Sequence, residues 1–424
     1  MIRQPENIRI TSMIRRLFFS LFMFLIFSPV FSSELSSKSV ISLITMAPGN
    51  QLHSAFGHAA FRVYDPDQDM DILFNYGVFP FYESGFIPKF VNGKLDYLLE
   101  VSYFDSTVDV YVRQKRMVVE QVLNLNLKQR RELFAFLSNN ARPENKVYRY
   151  DFLFDNCSTR LRDVLVTVLG KSLKFTQNPD PGLTFREMLD LYVKDTDPLT
   201  DFAFDTLLGL PTDRKVTPYE AMFLPDFLRT AFDHAVIVDK NGERPLVRSK
   251  HTLYSFNTKK KALPFFVFPA FWAWSIFIMF MLLTTILYWK RDRPSAVISF
   301  IQRIFDFLLL IAVGLIGLLL LYLWVISEHV VTNYNLNLLW ANPLLFGYAF
   351  FLLFNVFKKI QFRFLQIYIF LPLVVVLGWF LLPQNFHPAF FPVSLTLLLR
   401  CAWNLYILGR NREKSGSAGD VARI

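Results

Sequence analysis

The sequence predicts an α+β domain outside a membrane, followed by an all-α transmembrane domain of five helices. Residues 34–262 are polar and contain short alternating apolar segments, which are typical of strands, whereas the chain after residue 262 contains long apolar stretches. The 424 residues are 53% hydrophobic and include 47 Phe. This composition excludes intrinsic disorder and argues against a wholly soluble protein.

The formal net charge of +10 comes from the two ends of the chain. Residues 34–262 hold 29 basic and 29 acidic side chains, residues 1–33 hold 4 and 1, and residues 263–424 hold 12 and 5. A nucleic-acid-binding domain needs a basic excess on a folded soluble surface. We therefore expect no nucleic acid among the partners.

Residues 1–33 are predicted to be a signal peptide or an N-terminal anchor. Arg15 and Arg16 precede the apolar run Leu17–Val30, which is the pattern of a secretory signal. With either alternative, residues 34–262 are exported and form a periplasmic domain. Disulfides are common in that compartment, but this segment contains only Cys157, and Cys401 lies in an apolar stretch. A bridge between the two is therefore not expected.

Five apolar stretches after residue 262 have about the 20-residue length that crosses a bilayer. They are Leu263–Trp289, Ile304–Ile326, Trp340–Phe357, Phe364–Leu382 and Pro388–Leu408. Basic residues occupy alternate loops, and the loops between them, Ser327–Leu339 and Pro383–His387, have none. The positive-inside rule then predicts transmembrane residues 263–409 and a cytoplasmic tail at 410–424, in a bacterial inner membrane. Arg400, deep in the last span, is expected to snorkel or to reach a lipid phosphate.

Strand-like alternation dominates the periplasmic segment up to about residue 155. The predicted strands are Ser39–Met46, Ala59–Tyr64, Ile72–Tyr76, Val108–Val112 and Val147–Phe154. The Asp-rich turn at residues 65–69 joins the second and third strands into a hairpin. Helical spacing is found in Leu127–Asn139, and a second helix, capped by Asp155 or Asn156, runs to about Leu169.

Cys157 and His58 are the candidate catalytic residues. Cys157 stands at the start of the predicted second helix, where the helix dipole and unpaired amides favour the thiolate and can hold an oxyanion. His58 stands at the entry of the first hairpin strand, where it can act as a base. Each alone has a structural alternative, as a small buried thiol or a satisfied core imidazole. Together they predict covalent acyl chemistry.

Several motifs resemble those of the Lnb family. They are Phe56-Gly57-His58, Phe74-Asn75-Tyr76-Gly77, Lys89-Phe90-Val91-Asn92-Gly93, Tyr150-Asp151-Phe152, Asp155-Asn156-Cys157-Ser158-Thr159-Arg160 and Asn335-Leu336-Asn337-Leu338-Leu339-Trp340. A His-bearing strand before a Cys-bearing helix also resembles the circularly permuted papain-like fold of the NlpC type. The resemblance implies a papain-like catalytic domain in residues 34–262 and a lipoprotein N-acyltransferase activity.

The resemblance further implies a phospholipid acyl donor and a diacylated lipoprotein acceptor, whose diacylglyceryl-cysteine amine receives the chain from a Cys157 thioester. His58 would move the protons, and Asn75, near the end of the partner strand, would orient it. Asn156 and the backbone amide of Cys157 would form the oxyanion hole. His53 is a competing base in the preceding loop. We expect no cofactor and no metal ion.

Two further groups of residues have expected roles. Asn335, Asn337 and Trp340 lie in the periplasmic loop at residues 328–342, which is expected either to dock lipid head groups or to brace the domain. Asp151 and Arg160 are expected to form a structural ion pair.

Two other functions use the same residues. A membrane-tethered cysteine peptidase or amidase acting on cell-wall peptides would need the same Cys157 and His58, although the membrane half is larger than a tether requires. A non-enzymatic envelope scaffold would leave Cys157 without a role. Reaction of Cys157 with a lipid-like probe distinguishes the scaffold from both enzymes.

Overall fold

A seven-stranded antiparallel sheet forms the centre of the first half of the chain. The computed structural model describes residues 34–79, 85–175, 180–240, 242–256, 262–292 and 295–421, with side chains described up to residue 412. The strands are β1 Val40–Met46, β2 His58–Asp65, β3 Met70–Val78, β4 Asp96–Tyr103, β5 Val118–Leu123, β6 Val147–Arg149, β7 Leu173–Lys174, β8 Val236–Asp239, β9 Gly242–Pro245 and β10 Val247–Tyr254. The main sheet has the order β10-β5-β1-β2-β3-β4-β6, and β7-β8-β9 form a small second sheet.

Helices in this half of the chain cover both faces of the main sheet. They are α1 Phe86–Val91, α2 Phe104–Arg113, α3 Leu127–Asn140, α4 Cys157–Leu169, α5 Phe185–Val193, α6 Pro198–Leu207 and α7 Pro225–His234. Residues of α3, α4 and α7 share one core with the sheet residues Phe61 and Phe74. On the other face, α2 packs against Ile44 and Leu73. Burial on both faces explains why β1 and β5 consist of nearly continuous apolar or fully buried residues.

Five helical stretches of the described chain are long and apolar enough to cross a membrane. They are Pro269–Trp289, Ala296–Val325, Leu336–Leu353, Lys358–Leu377 and Phe390–Arg412. The first two are single helices, α8 Pro269–Trp289 and α9 Ala296–Val325. The third contains α10 Leu344–Leu353, the fourth consists of α11 Lys358–Tyr368 and α12 Phe370–Leu377, and the fifth belongs to α13 Phe390–Val421. The expectation of a sheet-rich domain followed by five apolar helices is confirmed.

Arg400 does not reach toward lipid, contrary to the expectation from the sequence. Its guanidinium forms a two-point ion pair with Asp306 of α9, at 2.7 and 2.9 Å, and also donates to Thr284 of α8. Asp306 is fully buried and also accepts a hydrogen bond from Gln302 at 3.0 Å. Asp306 lies 94 residues before Arg400, so local sequence patterns do not predict the pair. The pair joins three helices inside the bundle, where an unpaired charge would be costly.

The two halves of the chain meet along a polar seam at the end of α9. The backbone N–H of Glu328 donates to the carbonyl of Asn92, and the Tyr322 hydroxyl donates to the Asn92 side chain at 2.7 Å. Farther along, the N–H of Gly209 donates to the carbonyl of Val331 at 2.8 Å. The short helix α1 therefore lies beside the end of an apolar spanning helix.

Two predicted strands have a different structure. Val108–Val112 belongs to helix α2, because Phe104, Val108 and Tyr111 recur at helical spacing and face the sheet together. The strand predicted over Val147–Phe154 ends at Arg149, after which Asp151 accepts hydrogen bonds from the N–H groups of Leu153 and Phe154 and forms a turn. The predicted signal segment at residues 1–33 lies outside the described residues, and the predicted domain limits stay predictions.

Candidate active site

Cys157 is the first residue of helix α4, as the sequence predicted. The side chain of Asn156 caps this helix by accepting hydrogen bonds from the N–H groups of Ser158 and Thr159 at 2.9 and 3.0 Å. The Thr159 hydroxyl in turn accepts from the Asn156 N–H at 2.7 Å. This reciprocal capping box fixes the helix start. The thiol is therefore held where the positive end of the helix dipole acts on it.

Asn156 does not have the predicted oxyanion role. Its Nδ2 atom donates to the carbonyls of Phe152 and Phe223 at 2.8 and 3.0 Å, and its Oδ1 atom is occupied by the cap. Both ends of the side chain are thus engaged in a buried structural role. The backbone N–H of Cys157 precedes the first intrahelical hydrogen bond. It is the donor of this helix end that the cap leaves available to an oxyanion.

Gly57 brings His58 into place at the start of β2. The backbone at Gly57 has φ +83°, and a Cβ there would lie 2.8 Å from the carbonyl oxygen of Met46. Only glycine satisfies both conditions without strain. The chain can therefore turn sharply and enter β2 with the imidazole directed at the start of α4.

The strand register places Asn75 on the same face of the sheet as His58. Phe61 pairs with Phe74 in the β2–β3 ladder, and continuing this register brings His58 opposite Gly77. Asn75 is two residues from Gly77 and therefore shares its face. The His58 Nε2 atom lies 2.6 Å from Asn75 Oδ1, and Asn75 is buried. This contact leaves Nδ1 as the ring nitrogen available to Cys157.

The thiol and the imidazole stabilise each other's charged forms. Burial alone raises the pKa of the Cys157 thiol, but the charge of His58 and hydrogen bonds from His58, Ala59 and Ser158 outweigh burial, so the pKa lies below its ordinary value. Burial lowers the pKa of His58, but the charge and hydrogen bond of Cys157 and the bond to Asn75 raise it overall. The arrangement favours a thiolate–imidazolium pair.

Aromatic side chains surround this pair, and the sequence did not predict their role. The Tyr111 ring lies nearly parallel to the His58 ring, at 15° and 6.4 Å between centroids, and burial raises the Tyr111 pKa to about 12. Burial, together with the charge of Cys157, also raises the pKa of Tyr150. Tyr150 stacks on Tyr97 at 4.0 Å. These phenols stay neutral and form an apolar wall near the thiol.

Gly77 brings the backbone of β3 close to the thiol. Its φ is +91°, it interrupts the β3–β4 register, and a Cβ there would lie 3.5 Å from the Cβ of Cys157. Bulges of this kind redirect side chains beside active sites. The motif Phe74-Asn75-Tyr76-Gly77 therefore contributes both the orienting amide and space beside the nucleophile.

Arg160 forms an ion pair, but with a different partner from the expected one. It pairs with Asp155 through two nitrogen–oxygen contacts and lies over the Tyr148 ring at 4.0 Å. Asp151 is occupied by its own turn. His53 is exposed on a short 3₁₀ turn and contacts Phe79. The structure therefore brings His58, and not His53, to Cys157.

The Asn-rich loop braces the two halves instead of presenting groups to a ligand. Asn335 and Asn337 are at most 1% exposed, and their Nδ2 atoms donate to the carbonyls at the end of α6, those of residues 205–207. Trp340 is buried, and its Nε1 donates to Asn337 Oδ1 at 2.8 Å. The structure contradicts the predicted substrate-binding role of these three residues, because they are at most 2% exposed and their polar side-chain atoms are hydrogen-bonded within the protein. The bracing alternative holds.

Comparison with protein-family models assigns both halves of the chain. The model of the Lnb N-terminal periplasmic domain matches residues 29–190, and the model of the Lnb transmembrane domain matches residues 260–412. The chain belongs to the Lnb family. A comparison with curated proteins found no match, and neither did a comparison with solved structures.

As a member of the Lnb family with five apolar helices, the chain is a multi-pass membrane protein with a periplasmic domain. It also points to a function like that of a lipoprotein N-acyltransferase. Both the Cys157 helix start and the His58 strand lie inside the range matched by the Lnb periplasmic model. The seam residues 328–340 lie inside the range matched by the Lnb transmembrane model.

Proposed function

We propose that this protein is a lipoprotein N-acyltransferase of the bacterial inner membrane, with Cys157 as nucleophile, His58 as base and Asn75 as the residue that orients the base. The observation that carries the proposal is the contact of a capped, helix-terminal thiol with an imidazole that is itself held by a buried amide. This thiol–imidazole–amide arrangement supports a papain-like site, and the order of strand before helix fits a permuted one.

In the first half-reaction, the thiolate of Cys157 attacks the carbonyl carbon of a phospholipid acyl ester. The backbone N–H of Cys157 donates to the developing oxyanion. The ester C–O bond then breaks, and the imidazolium of His58 gives its proton to the departing alkoxide. The products are a lysophospholipid and an acyl thioester on Cys157.

In the second half-reaction, the α-amine of a diacylglyceryl-cysteine lipoprotein attacks the thioester carbonyl. Neutral His58 takes the proton of the amine, the C–S bond breaks, and the thiolate is restored. An N-acylated lipoprotein leaves. No oxidant or metal is required in either step.

The position of α1 supports lipid-anchored substrates. Ile87 is 72% exposed and Phe90 is 51% exposed, and α1 is fixed to the end of α9 through Asn92. Since α9 is long and apolar enough to span the bilayer, these side chains would lie at the outer surface of the bilayer in the proposed orientation. Extracting an acyl chain into water costs about 0.8 kcal/mol per CH₂, which a site at the membrane surface avoids.

The test uses full-length protein in phospholipid vesicles with a synthetic diacylated lipopeptide that has a free α-amine. Mass spectrometry should show one added acyl chain on the amine and a matching amount of lysophospholipid, and Cys157→Ala should form neither product. A peptidase or amidase would cleave the peptide without consuming phospholipid. A scaffold would change neither substrate. Peptide cleavage without phospholipid consumption, or no change in either substrate, would reject the proposal.

A further inference from the structure

Three carboxyl groups outside the catalytic site converge between α5 and α6. Asp190 of α5 and Asp201 and Asp205 of α6 each place an oxygen within 4.8 Å of the other two. No short motif connects them in the sequence, because the acids come from two helices. The group faces the membrane half, since His387, in the loop before α13, lies beside Asp201.

The surrounding positive charge does not balance these acids. Arg186 is 1% exposed and is already shared between Asp205 and Asp213, at 2.9 Å from each. Lys194 acts on Asp190 and Asp201, but its side chain is exposed. Two carboxyl groups in contact repel each other unless a proton or a cation lies between them.

Asp201 provides an independent indication of a ligand. It is 5% exposed, and its Oδ1 atom receives no hydrogen bond from an N–H or hydroxyl group of the described residues. Its side chain instead lies within hydrogen-bond reach of the Asp190 carboxyl group. A buried carboxylate oxygen that receives no hydrogen bond needs an explanation, and a bound ion is one possible explanation.

His387 directs its ring toward the same group from the membrane half. It is also 5% exposed, and its Nδ1 accepts a hydrogen bond from the N–H of Ala389. That contact assigns the ring proton to Nε2, which lies 3.6 Å from Asp201 Oδ2, beyond hydrogen-bond distance. A small shift of Asp201 toward a ligand at Oδ1 would bring its Oδ2 within hydrogen-bond distance of Nε2. A small shift of the loop that carries His387 would do the same.

We propose that Asp190, Asp201 and Asp205 bind one divalent cation with a preference for oxygen ligands, best fitted by Ca²⁺. Ca²⁺ takes carboxylate oxygens at about 2.3–2.6 Å in flexible geometry, so three oxygens with mutual separations below 4.8 Å can share one ion. His387 orients Asp201 by donating from Nε2 to its carboxylate. It does not bind the ion itself, because Nε2 carries the ring proton.

Such an ion would stiffen the connection between the two halves of the protein. It would join α5 to α6, and through His387 it would join both to the loop before α13. Asn335 and Asn337 cap the end of the same α6. The proposal is independent of the catalytic function, because none of these residues touches Cys157 or His58 in the described contacts.

The experiment titrates Ca²⁺, and separately Mg²⁺, into full-length protein that was purified in detergent and stripped with a chelator. Isothermal titration calorimetry measures binding, and thermal unfolding is followed at each ion concentration. The variants are Asp201→Asn, the half-buried Asp190→Asn and His387→Phe. Glu243→Gln, at an exposed position of β9, is the control for the change in net charge.

Wild-type protein should bind one Ca²⁺ per chain and unfold at a higher temperature as Ca²⁺ rises. Asp201→Asn and Asp190→Asn should weaken binding strongly, and His387→Phe should weaken it by about 10–100-fold, as loss of an outer partner does. Glu243→Gln should bind like wild type. If wild type binds neither ion, or if Asp190→Asn binds as tightly as wild type, the proposal is wrong. A rise in unfolding temperature in Asp190→Asn without any ion dependence would indicate a shared proton instead.

Discussion

The Nε2 atom of His58 lies 2.6 Å from Oδ1 of Asn75 across the β2–β3 pair. An amide cannot be ionised, so it orients the ring without competing for its proton. The orientation leaves Nδ1 for Cys157, and the buried position of Asn75 keeps water from replacing this contact. This geometry supports the proposed roles of His58 as the base and Asn75 as the residue that orients it.

Asn75→Ala should lower the rate of acyl transfer by about 100-fold, since a misplaced catalytic group typically costs that much. His58→Ala should lower it further, because proton transfer itself is lost. Acyl transfer from phospholipid to a lipopeptide is the measurement, with kcat and KM determined separately. A larger loss in Asn75→Ala than in His58→Ala would contradict the assigned roles.

His53→Ala should leave most of the activity, because His53 is exposed and separated from the thiol. The same acyl-transfer assay gives the comparison with His58→Ala. If His53→Ala were inactive and His58→Ala active, the placement of the base would be wrong.

The pH dependence of thiol alkylation should reveal the coupled pair. The Cys157 pKa is lowered and the His58 pKa is raised, so the thiolate forms at a lower pH than in a free cysteine and the imidazolium persists to a higher pH. In His58→Ala, the charge and hydrogen bond that lower the Cys157 pKa are lost, whereas the burial that raises it remains. The alkylation curve should therefore move to higher pH. Mass spectrometry of Cys157 peptides after iodoacetamide treatment measures the curve, in a Cys401→Ala background.

An unchanged alkylation curve in His58→Ala would contradict the pairing of the two residues. Tyr111→Phe is the matched control, because it keeps the ring beside His58 and removes only the hydroxyl group.

The buried pair of Arg400 and Asp306 should stabilise the helix bundle only as an intact unit. Asp306→Asn or Arg400→Met alone should destabilise the protein by about 3–5 kcal/mol, because one buried charge is left without its partner. The double replacement Asp306→Leu with Arg400→Met should recover much of this loss. Thermal unfolding in nanodiscs measures the three variants. A double variant less stable than both single variants would contradict this account.

Replacing Ile87 with Asp should raise the KM for phospholipid in vesicles and leave the reaction with a water-soluble short-chain acyl ester unchanged. The reason is that Ile87 is 72% exposed on a helix fixed to the end of α9. Val238→Asp, at an exposed position of β8 in the small sheet, is the control. Equal effects of Ile87→Asp on both substrates would indicate a structural defect instead of lost membrane contact.

Local patterns in the sequence were sufficient to predict where Cys157 and His58 lie in the fold. Asn156 before Cys157 is a helix-cap signal, and the hairpin that carries His58 is marked by its Asp-rich turn, so both positions follow from short-range chemistry. The five apolar helices follow from length and hydropathy alone.

Most of the predictions that the structure corrects depend on contacts between residues that are distant in sequence. The partner of Arg400 is 94 residues away, and the carbonyls capped by Asn335 and Asn337 are more than 120 residues away. Val108–Val112 alternates like a strand, and only the tertiary position of Phe104 and Val108 against the sheet shows that it is helical. The sequence predicts an oxyanion role for Asn156 because local spacing does not reveal the partners of its amide, among them the carbonyl of Phe223.

The covalent intermediate tests the central claim most directly. Full-length enzyme incubated with phospholipid and no acceptor should gain the mass of one fatty acyl group on the peptide that contains Cys157, and neutral hydroxylamine should remove it. Cys157→Ala should carry no adduct, Cys401→Ala should be labelled like wild type, and a lipopeptide amine should clear the adduct. If Cys157→Ala still acylates the lipopeptide at the wild-type rate, the thioester mechanism is wrong.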